Sequence, residues 1–185
     1  RFANKNILNY VYNRDILDIG AYSGDSLLVL LNYTKKKVCS YEYSPANLKL
    51  INYSILSNKI KSNRFIIVNK GIGNHSQIIR SCFTGTGSST IMECENSTII
   101  EITTIDKEVN KRNLTVGFIK ADIEGMELQA LQGARRTIER DRPIISFSIY
   151  HNFECLFGIR KFIENFPDYA FQYHIVWDSV DYYKI

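Results

Sequence analysis

The chain has 185 residues, of which 45% are hydrophobic and 23% are charged, and its formal net charge is +4. This composition predicts one soluble globular domain over residues 1–185, and the start at Arg1 leaves room for a longer parent chain. We expect no membrane span, because no apolar run approaches roughly 20 residues, and no nucleic-acid partner, because no basic stripe is interleaved with aromatic residues.

The cysteine pattern indicates reduced thiols rather than a metal centre. No C-x-x-C pair occurs, and no histidine stands at zinc-ligand spacing from Cys39, Cys82, Cys94 or Cys155. Cys39 and Cys155 lie among apolar residues, so we expect both thiols to be buried. Reduced cysteines are typical of the cytoplasm, which is the expected location.

The first elements predict the opening of a nucleotide-binding unit. Apolar residues at helical spacing within 1–14 indicate a short helix. Asp15–Ile19 has the pattern of a buried strand, and the small-residue turn 20–24 leads into an apolar helix from 25 to about 33. Strand, glycine turn and helix are typical of such units, because glycines let the backbone approach the ligand and the helix N-terminus offers free N–H groups.

The second strand ends at an acid. It covers 37–41 and is followed by Glu42, roughly 20 residues after Gly20, where an acid holds the ribose hydroxyls of a nucleoside. The spacing Gly20-x-x-x-Gly24 differs from the G-x-G-x-x-G of dinucleotide binders. With Asp18 before the turn, the pattern favours a pocket for S-adenosylmethionine (SAM). The alternative is that the glycines serve only the turn.

The next segment continues the alternation of helix and strand. Ser44 as N-cap and Pro45 at the first helical position predict a helix to about 57. The apolar run 64–68 predicts a third parallel strand that is covered on both faces. Residues 69–98 are rich in glycine and β-branched residues, which predicts short strands or a hairpin and a loop near the ligand.

The second half repeats this order. An extended segment at 97–103 precedes a short helix to about 110, which Thr104 and Asp106 are expected to cap. Val116–Ala121 reads as a buried central strand, followed by one helix that reaches about 140. The remaining predicted elements are a strand at 144–150 and a helix at about 153–165. Two closing strands, at 169–176 and 181–185, are expected to form an antiparallel pair.

Five candidate site residues lie at the carboxyl ends of predicted strands. They are Asp18, Gly20, Glu42, Asp122 and His151. In an open α/β sheet, ligands bind at these ends where the strand order reverses, and we expect that reversal between the first strand and Val116–Ala121.

The tip of the central strand carries candidate acid–base chemistry. Of Asp122 and Glu124, one could accept a proton from a substrate hydroxyl and the other could position it, and Lys120 lies on the same side of the strand. His151 is the rival base, because its pKa lies nearest neutrality. Simpler alternatives are a helix-capping Asp122, an ordinary loop histidine, or a divalent cation held by the two carboxylates. Glu127 is expected only to face the helix dipole.

Several segments resemble FkbM-type SAM-dependent methyltransferases. They are DIGAYSGD at 18–25, YEYSP at 41–45, GSSTI at 87–91, TTIDKEV at 103–109, FIKADIEGMELQALQGA at 118–134 and RPIISFSIYH at 142–151. The resemblance implies a class I methyltransferase (Rossmann-like) fold: a three-layer α/β sandwich around a mostly parallel seven-stranded sheet with an antiparallel last strand. It also implies O-methylation of a sugar or another small-molecule hydroxyl, with SAM as cofactor.

The resemblance assigns expected roles to individual residues. Those expected at the methionine end of SAM are Asp18, Gly20, Ala21, Ser23 and Gly24. Glu42 is expected at the ribose, Tyr43 and Gly71 replace the usual Pro and Ala near the adenine, and Asp122, Glu124 and His151 are expected near the methyl group.

The expected reaction is in-line methyl transfer, in which positioning supplies most of the rate. Asp122 or His151 would be the base, and Lys120 and Glu124 would orient the acceptor. A nicotinamide-dependent oxidoreductase is one alternative, which the glycine spacing argues against. A non-catalytic SAM-fold binding module is the other, and the intact site residues argue against it.

Overall fold

The computed structural model describes residues 5–83, 89–90, 98–167 and 169–172. Its strands are β1 Asp15–Ile19, β2 Val38–Tyr41, β3 Phe65–Val68, β4 Gly71–Ile72, β5 Gln77–Phe83, β6 Ser89–Thr90, β7 Thr98–Thr103, β8 Val116–Ala121 and β9 Ile144–Phe147. Its helices are α1 Lys5–Val11, α2 Asp25–Leu30, α3 Pro45–Ser57, α4 Ile105–Arg112, α5 Glu127–Gln132, α6 Arg135–Asp141 and α7 Phe153–Ile163.

The central sheet is parallel and runs in the order β3-β2-β1-β8-β9. The order therefore reverses between β1 and β8, as the sequence predicts. The register sets Asp18 of β1 opposite Ser40 of β2 and Lys120 of β8. These three polar side chains meet in the middle of the sheet, just below its carboxyl edge.

Two apolar clusters cover the two faces of this sheet and give the three-layer sandwich. On one face, Ile16 of β1 packs with Leu27 of α2 and Ile51 of α3. On the other face, the neighbouring Leu17 packs in the cluster of α4 to α7, which includes Ile138. Successive residues of a strand point to opposite faces, so all five residues of β1 are buried.

A second, smaller sheet has the order β4-β7-β5-β6 among the described residues. Its strands β5 and β7 are antiparallel, and β4 pairs in parallel with β7. The short strands predicted within 69–98 are therefore present. The loop predicted in the same segment falls largely on 84–88 and 91–97, outside the described residues, as does most of the GSSTI segment.

Several predicted elements differ from the structure. The strand predicted at 144–150 ends at Phe147, and the helix predicted from 25 to about 33 ends at Leu30. The single helix predicted after β8 is two helices, α5 and α6, which are separated at Gly133 and Ala134. A Cβ atom at Gly133 would lie 2.2 Å from the carbonyl oxygen of Gly73. Asp106 accepts hydrogen bonds from the N–H groups of Arg136 and Thr137 in α6, while Thr104 alone caps α4. Strand β3 lies at the sheet edge and is only partly buried.

The expected closing strands extend beyond the described residues. Residues 169–172 are irregular, and the rest of 169–176 and all of 181–185 are not described. Five strands of the expected seven are thus described in the parallel sheet. Cys39 and Cys155 are buried free thiols, as predicted. Within the described ranges, every helix is too short or too polar to cross a bilayer.

Candidate functional site

A cavity of about 520 Å³ lies over the carboxyl ends of β1, β2 and β8. Its walls bring together residues from the glycine turn, the end of β2, strand β4 and the β8–α5 loop. Those predicted from sequence are Gly20, Glu42, Tyr43, Gly71, Lys120, Asp122 and Glu124. Glu42 and Asp122 therefore share one space, as a nucleoside held by one acid with its reactive group near the other requires.

Gly20 is the point where the turn meets the β8–α5 loop. Its φ is +76°, and a Cβ atom there would lie 2.0 Å from the carbonyl oxygen of Asp122. Its N–H donates to the carbonyl of Tyr41 at 3.0 Å. Glycine is required at this position because two backbone segments are in contact, so the fold needs it whether or not a ligand binds.

Glu42 is buried and held by backbone donors. One carboxylate oxygen, Oε1, accepts the N–H groups of Tyr43 and Ser44, both at 2.8 Å, and Oε2 accepts the N–H of Tyr22 at 3.0 Å. These contacts fix the carboxylate at the cavity wall. Because Oε2 accepts one of these bonds and Oε1 two, Oε2 retains more capacity to accept a hydroxyl donor from a ligand.

Asp18 lies beneath the cavity and is fully buried. Its Oδ2 accepts the hydroxyls of Ser26 at 2.8 Å and Ser40 at 3.2 Å, and its Oδ1 is 3.4 Å from the ammonium of Lys120. Burial raises the pKa of Asp18, and the nearby Lys120 counteracts part of that increase. Asp18 thus supports the floor of the site and reaches the cavity through Ser26 and Lys120, which line it.

Lys120 turns towards β1 rather than towards the acid pair. Its ammonium donates to the carbonyl of Gly20 at 2.6 Å and lies beside Asp18. The prediction that it shares a side with Asp122 is compatible with the register, since both line the cavity. Its hydrogen bonds give it a role in fixing the glycine turn.

The tip of β8 brings the predicted acids and histidine together. Nε2 of His151 is 3.5 Å from Oδ1 of Asp122 and 3.6 Å from Oε2 of Glu124. The connecting loop is strained: Glu124 has φ +56° and Gly125 has φ +99°. At Gly125, a Cβ atom would lie 2.6 Å from Nδ2 of Asn152. Asp122 does not cap α5, whose N-cap is Met126, so the capping alternative is wrong.

Two neighbours of this cluster were missed by sequence reasoning. Tyr150 is 75% exposed, its hydroxyl donates to Oδ1 of Asp122 at 3.3 Å, and its ring lies 4.2 Å from that of His151. Glu127 is fully buried, and its Oε1 lies 3.1 Å from Nδ1 of His151. The only sequence signal for Tyr150 was its place before His151, and Glu127 was expected to face the helix dipole alone.

The remaining predicted residues lie around the turn. Ala21 is fully buried, and Gly24 has φ +83° with a Cβ position 3.3 Å from the Cα atom of Ile51. The hydroxyl of Ser23 donates to Asp25 at 3.0 Å. None of the three lines the cavity, so any contact that they make with a ligand remains a prediction.

The charge of the cavity wall favours a cationic ligand. Its charged groups are four carboxylates and two ammonium groups, those of Asp25, Glu42, Asp122, Glu124, Lys70 and Lys120. Asp25 and Lys70 were not predicted. Lys70 is paired with Glu101 and lies 3.8 Å from the buried Glu108, which reduces its positive contribution further.

A metal ion is the alternative ligand for part of this wall. Asp122, Glu127 and His151 each offer one donor atom, and these atoms lie within 4.8 Å of one another. Both oxygens of Glu127 are already engaged, by the N–H of Ile123 at 2.8 Å and by the Cys155 thiol at 3.2 Å. These hydrogen bonds would compete with coordination of a metal ion by Glu127.

Comparisons with known proteins match the chain to one family. A model of the methyltransferase FkbM domain matches residues 18–176. The crystal structure of methyltransferase FkbM from Methylobacillus flagellatus KT is similar, with 28% identity and a TM-score of 0.66. The similarity covers 85% of this chain and 38% of that one, so this chain spans well under half of the length of that relative. No curated protein matches the sequence.

Two more distant structures share the fold. A precorrin-6y C5,15-methyltransferase from Geobacter metallireducens GS-15 has 13% identity and a TM-score of 0.52, over 86% of this chain and 68% of that one. A putative rRNA-methylase from Clostridium thermocellum has 10% identity and a TM-score of 0.52, over 88% and 77%. At such identities the likeness concerns the Rossmann-like architecture alone.

Proposed function

This chain belongs to the FkbM methyltransferase family, and from this premise we propose that it transfers the methyl group of SAM to a hydroxyl oxygen of a small molecule or saccharide. The observation that carries the proposal is the shared cavity of Glu42 and Asp122 over the strand tips. One acid suits the ribose of the cofactor, and the other lies where an acceptor hydroxyl would meet the methyl group.

The charge of the wall supports SAM as the ligand. SAM carries a sulfonium, and the wall has four carboxylates against two ammonium groups. After methyl transfer the sulfur is a neutral thioether, so the same wall holds the product S-adenosylhomocysteine less strongly. Tight substrate binding and easier product release then follow from one charge distribution.

The proposed mechanism is an in-line displacement. The acceptor oxygen attacks the methyl carbon, the carbon–sulfur bond breaks with its electron pair going to sulfur, and the hydroxyl proton leaves to a base. His151 and Asp122 are the candidate bases and lie 3.5 Å apart. Alignment of oxygen, carbon and sulfur supplies most of the rate, and the base contributes roughly 10²- to 10⁴-fold.

Calorimetric titration and methyl-transfer assays test this proposal. We expect wild type, Asp122→Asn and His151→Ala to bind S-adenosylhomocysteine with similar affinity, because neither residue belongs to the Glu42 end of the cavity. Turnover of radiolabelled SAM with a panel of methyl glycosides should fall at least roughly 100-fold in one or both variants. Glu139→Gln, on the exposed side of α6, is the matched control.

Two results would contradict the proposal. Full turnover in both variants would remove the acid–base assignment. Binding of NADH in place of S-adenosylhomocysteine would favour a nicotinamide-dependent oxidoreductase. A third result, cofactor binding without transfer to any glycoside or other hydroxyl compound, would favour the binding-module alternative.

A further inference from the structure

The acid–base cluster contains one charged residue that the proposed mechanism does not use. Glu127 is the first residue of α5 and is fully buried. Burial of a carboxylate is costly unless hydrogen bonds compensate, and both of its oxygens are engaged. Oε1 accepts the N–H of Ile123 at 2.8 Å and Oε2 accepts the thiol of Cys155 at 3.2 Å. Burial raises the pKa of Cys155, and so does its hydrogen bond to Glu127, so the thiol keeps its proton and remains a donor.

The same carboxylate faces the histidine. Nδ1 of His151 is buried and lies 3.1 Å from Oε1 of Glu127. Among the described residues, Nδ1 makes no hydrogen bond of good geometry, although Oε1 of Glu127 lies within reach at 3.1 Å. Catalytic hydrogen bonds are often poorly aligned before substrate binds and tighten in the complex.

We infer that Glu127 is a positioning residue that holds the Nδ1 proton of His151 and thereby makes Nε2 the base; this inference rests on the proposed methyl transfer. When a carboxylate accepts from one ring nitrogen, the other nitrogen carries the lone pair. Nε2 is the atom that faces the cavity acids, 3.5 Å from Asp122 and 3.6 Å from Glu124. The ring of Tyr150 lies beside the imidazole, with ring centroids 4.2 Å apart.

With Nε2 of His151 as the base, every proton and electron pair of the reaction is accounted for. The acceptor O–H gives its proton to Nε2 as the new carbon–oxygen bond forms, and the electron pair of the broken carbon–sulfur bond stays on sulfur. The imidazolium then faces three carboxylates, those of Asp122, Glu124 and Glu127, which stabilise its positive charge. Loss of the Nε2 proton to water restores the base for the next turnover.

The tautomer of His151 can be measured without cofactor or acceptor. Long-range ¹H–¹⁵N correlation spectra distinguish imidazole protonated at Nδ1 from imidazole protonated at Nε2. The chain has 3 histidines, and the His151→Ala spectrum identifies the signals that belong to His151. We expect the Nδ1–H tautomer in the wild type at a pH where the ring is neutral. Glu127→Gln should shift the population towards Nε2–H, whereas Glu154→Gln, an exposed change on α7, should leave it unaltered.

Each other outcome counts against the inference. A wild-type ring that is an Nε2–H tautomer would overturn it even if Glu127→Gln fails to fold. A wild-type Nδ1–H tautomer that Glu127→Gln leaves unchanged in a folded protein would overturn it as well. Selective broadening of the His151 signals by micromolar Mn²⁺ would show that the cluster coordinates a cation instead.

The test separates this inference from the proposed function. An Nε2–H tautomer together with intact S-adenosylhomocysteine binding would remove the role of Glu127 alone. Absence of S-adenosylhomocysteine binding would remove the proposed function whatever the tautomer. If the wild-type protein transfers methyl groups, Glu127→Gln should lower kcat roughly 10-fold or more, because a base-orienting group is lost. The KM for SAM should change little.

Discussion

The two ends of the cavity are built in different ways. At the β1–β2 end, Glu42 is buried and its carboxylate accepts three backbone N–H groups at 2.8 to 3.0 Å. At the β8–β9 end, the side chains of Asp122 and Glu124 are 41% and 62% exposed. Their carboxylate oxygens lie 3.5 Å (Asp122) and 3.6 Å (Glu124) from Nε2 of His151.

This difference indicates which part of the site can vary in sequence. A group held by backbone donors cannot change without disturbing the turn, which suits a cofactor that has the same shape in every turnover. Side chains on a loop tip can be exchanged while the scaffold persists, which suits recognition of an acceptor. We therefore expect mutations at the first end to affect folding and cofactor affinity, and mutations at the second end to affect turnover.

The largest expected effect is on folding. Gly20→Ala places a Cβ atom 2.0 Å from the Asp122 carbonyl at a residue with φ +76°, so backbone must move. We expect the free energy of unfolding in urea to fall by more than about 3 kcal/mol. Gly24→Ala is the matched control, because its φ is also positive but its Cβ would lie 3.3 Å from the nearest atom; we expect a loss of about 1–2 kcal/mol. Equal losses in both variants would contradict the close-approach argument.

The second effect is on cofactor affinity. Glu42→Gln keeps the shape of the side chain but removes the charge, and its amide group would face N–H donors that the carboxylate accepts. We expect the affinity for S-adenosylhomocysteine to fall by roughly 10- to 100-fold, the size of a lost charged hydrogen bond. Calorimetry measures this change directly. Wild-type affinity in Glu42→Gln would show that the two ends of the cavity do not divide their tasks in this way.

A smaller effect is expected at the acceptor end. Tyr150→Phe removes the hydroxyl that donates to Asp122 at 3.3 Å and keeps the ring against His151. We expect turnover to fall by only about 3- to 10-fold, because a neutral hydrogen bond is worth about 1 kcal/mol. Affinity for S-adenosylhomocysteine should stay at the wild-type value. A collapse of cofactor affinity would assign Tyr150 to the other end.

The smallest effect concerns the floor that both ends share. Burial raises the pKa of Asp18 above its ordinary value of 3.8. The folded state therefore favours the protonated form, so the stability that this group contributes is complete below pH 3.8 and declines as the pH rises through the raised pKa. Asp18→Asn has no such titration, so its stability relative to wild type should improve as the pH rises from 3.8. Urea unfolding across this range, with exposed Asp25→Asn as control, measures the trend, and the opposite slope would contradict it.

Much of the fold could be predicted because its signals are local. Periodicity and turn chemistry gave Asp15–Ile19, Pro45–Ser57 and Val116–Ala121 with the observed bounds. The break after Gln132 could not be predicted, since it coincides with a close contact between Gly133 and Gly73, which follows β4, and no local pattern records that contact. Asp106 likewise caps a helix that begins 29 residues later, at Arg135.

The candidate site also contains residues that local sequence predicts and residues that depend on long-range packing. Gly20 and Glu42 stand at fixed spacing around one βαβ unit, so sequence reasoning could place them in one cavity. The contact of Glu127 with His151 depends on how α5 packs beside the β9–α7 connection, and that packing is set by long-range contacts. Tyr150 was missed for the same reason, because its hydroxyl donates to Asp122, which follows a different strand, β8.

A crystal structure with S-adenosylhomocysteine tests the central claim most directly. We predict that the nucleoside will occupy the 520 Å³ cavity, with its ribose hydroxyls on Oε2 of Glu42 and its sulfur directed towards Asp122 and His151. A cavity that stays empty at saturating S-adenosylhomocysteine, or a ligand whose sulfur points away from the β8 tip, would contradict the account.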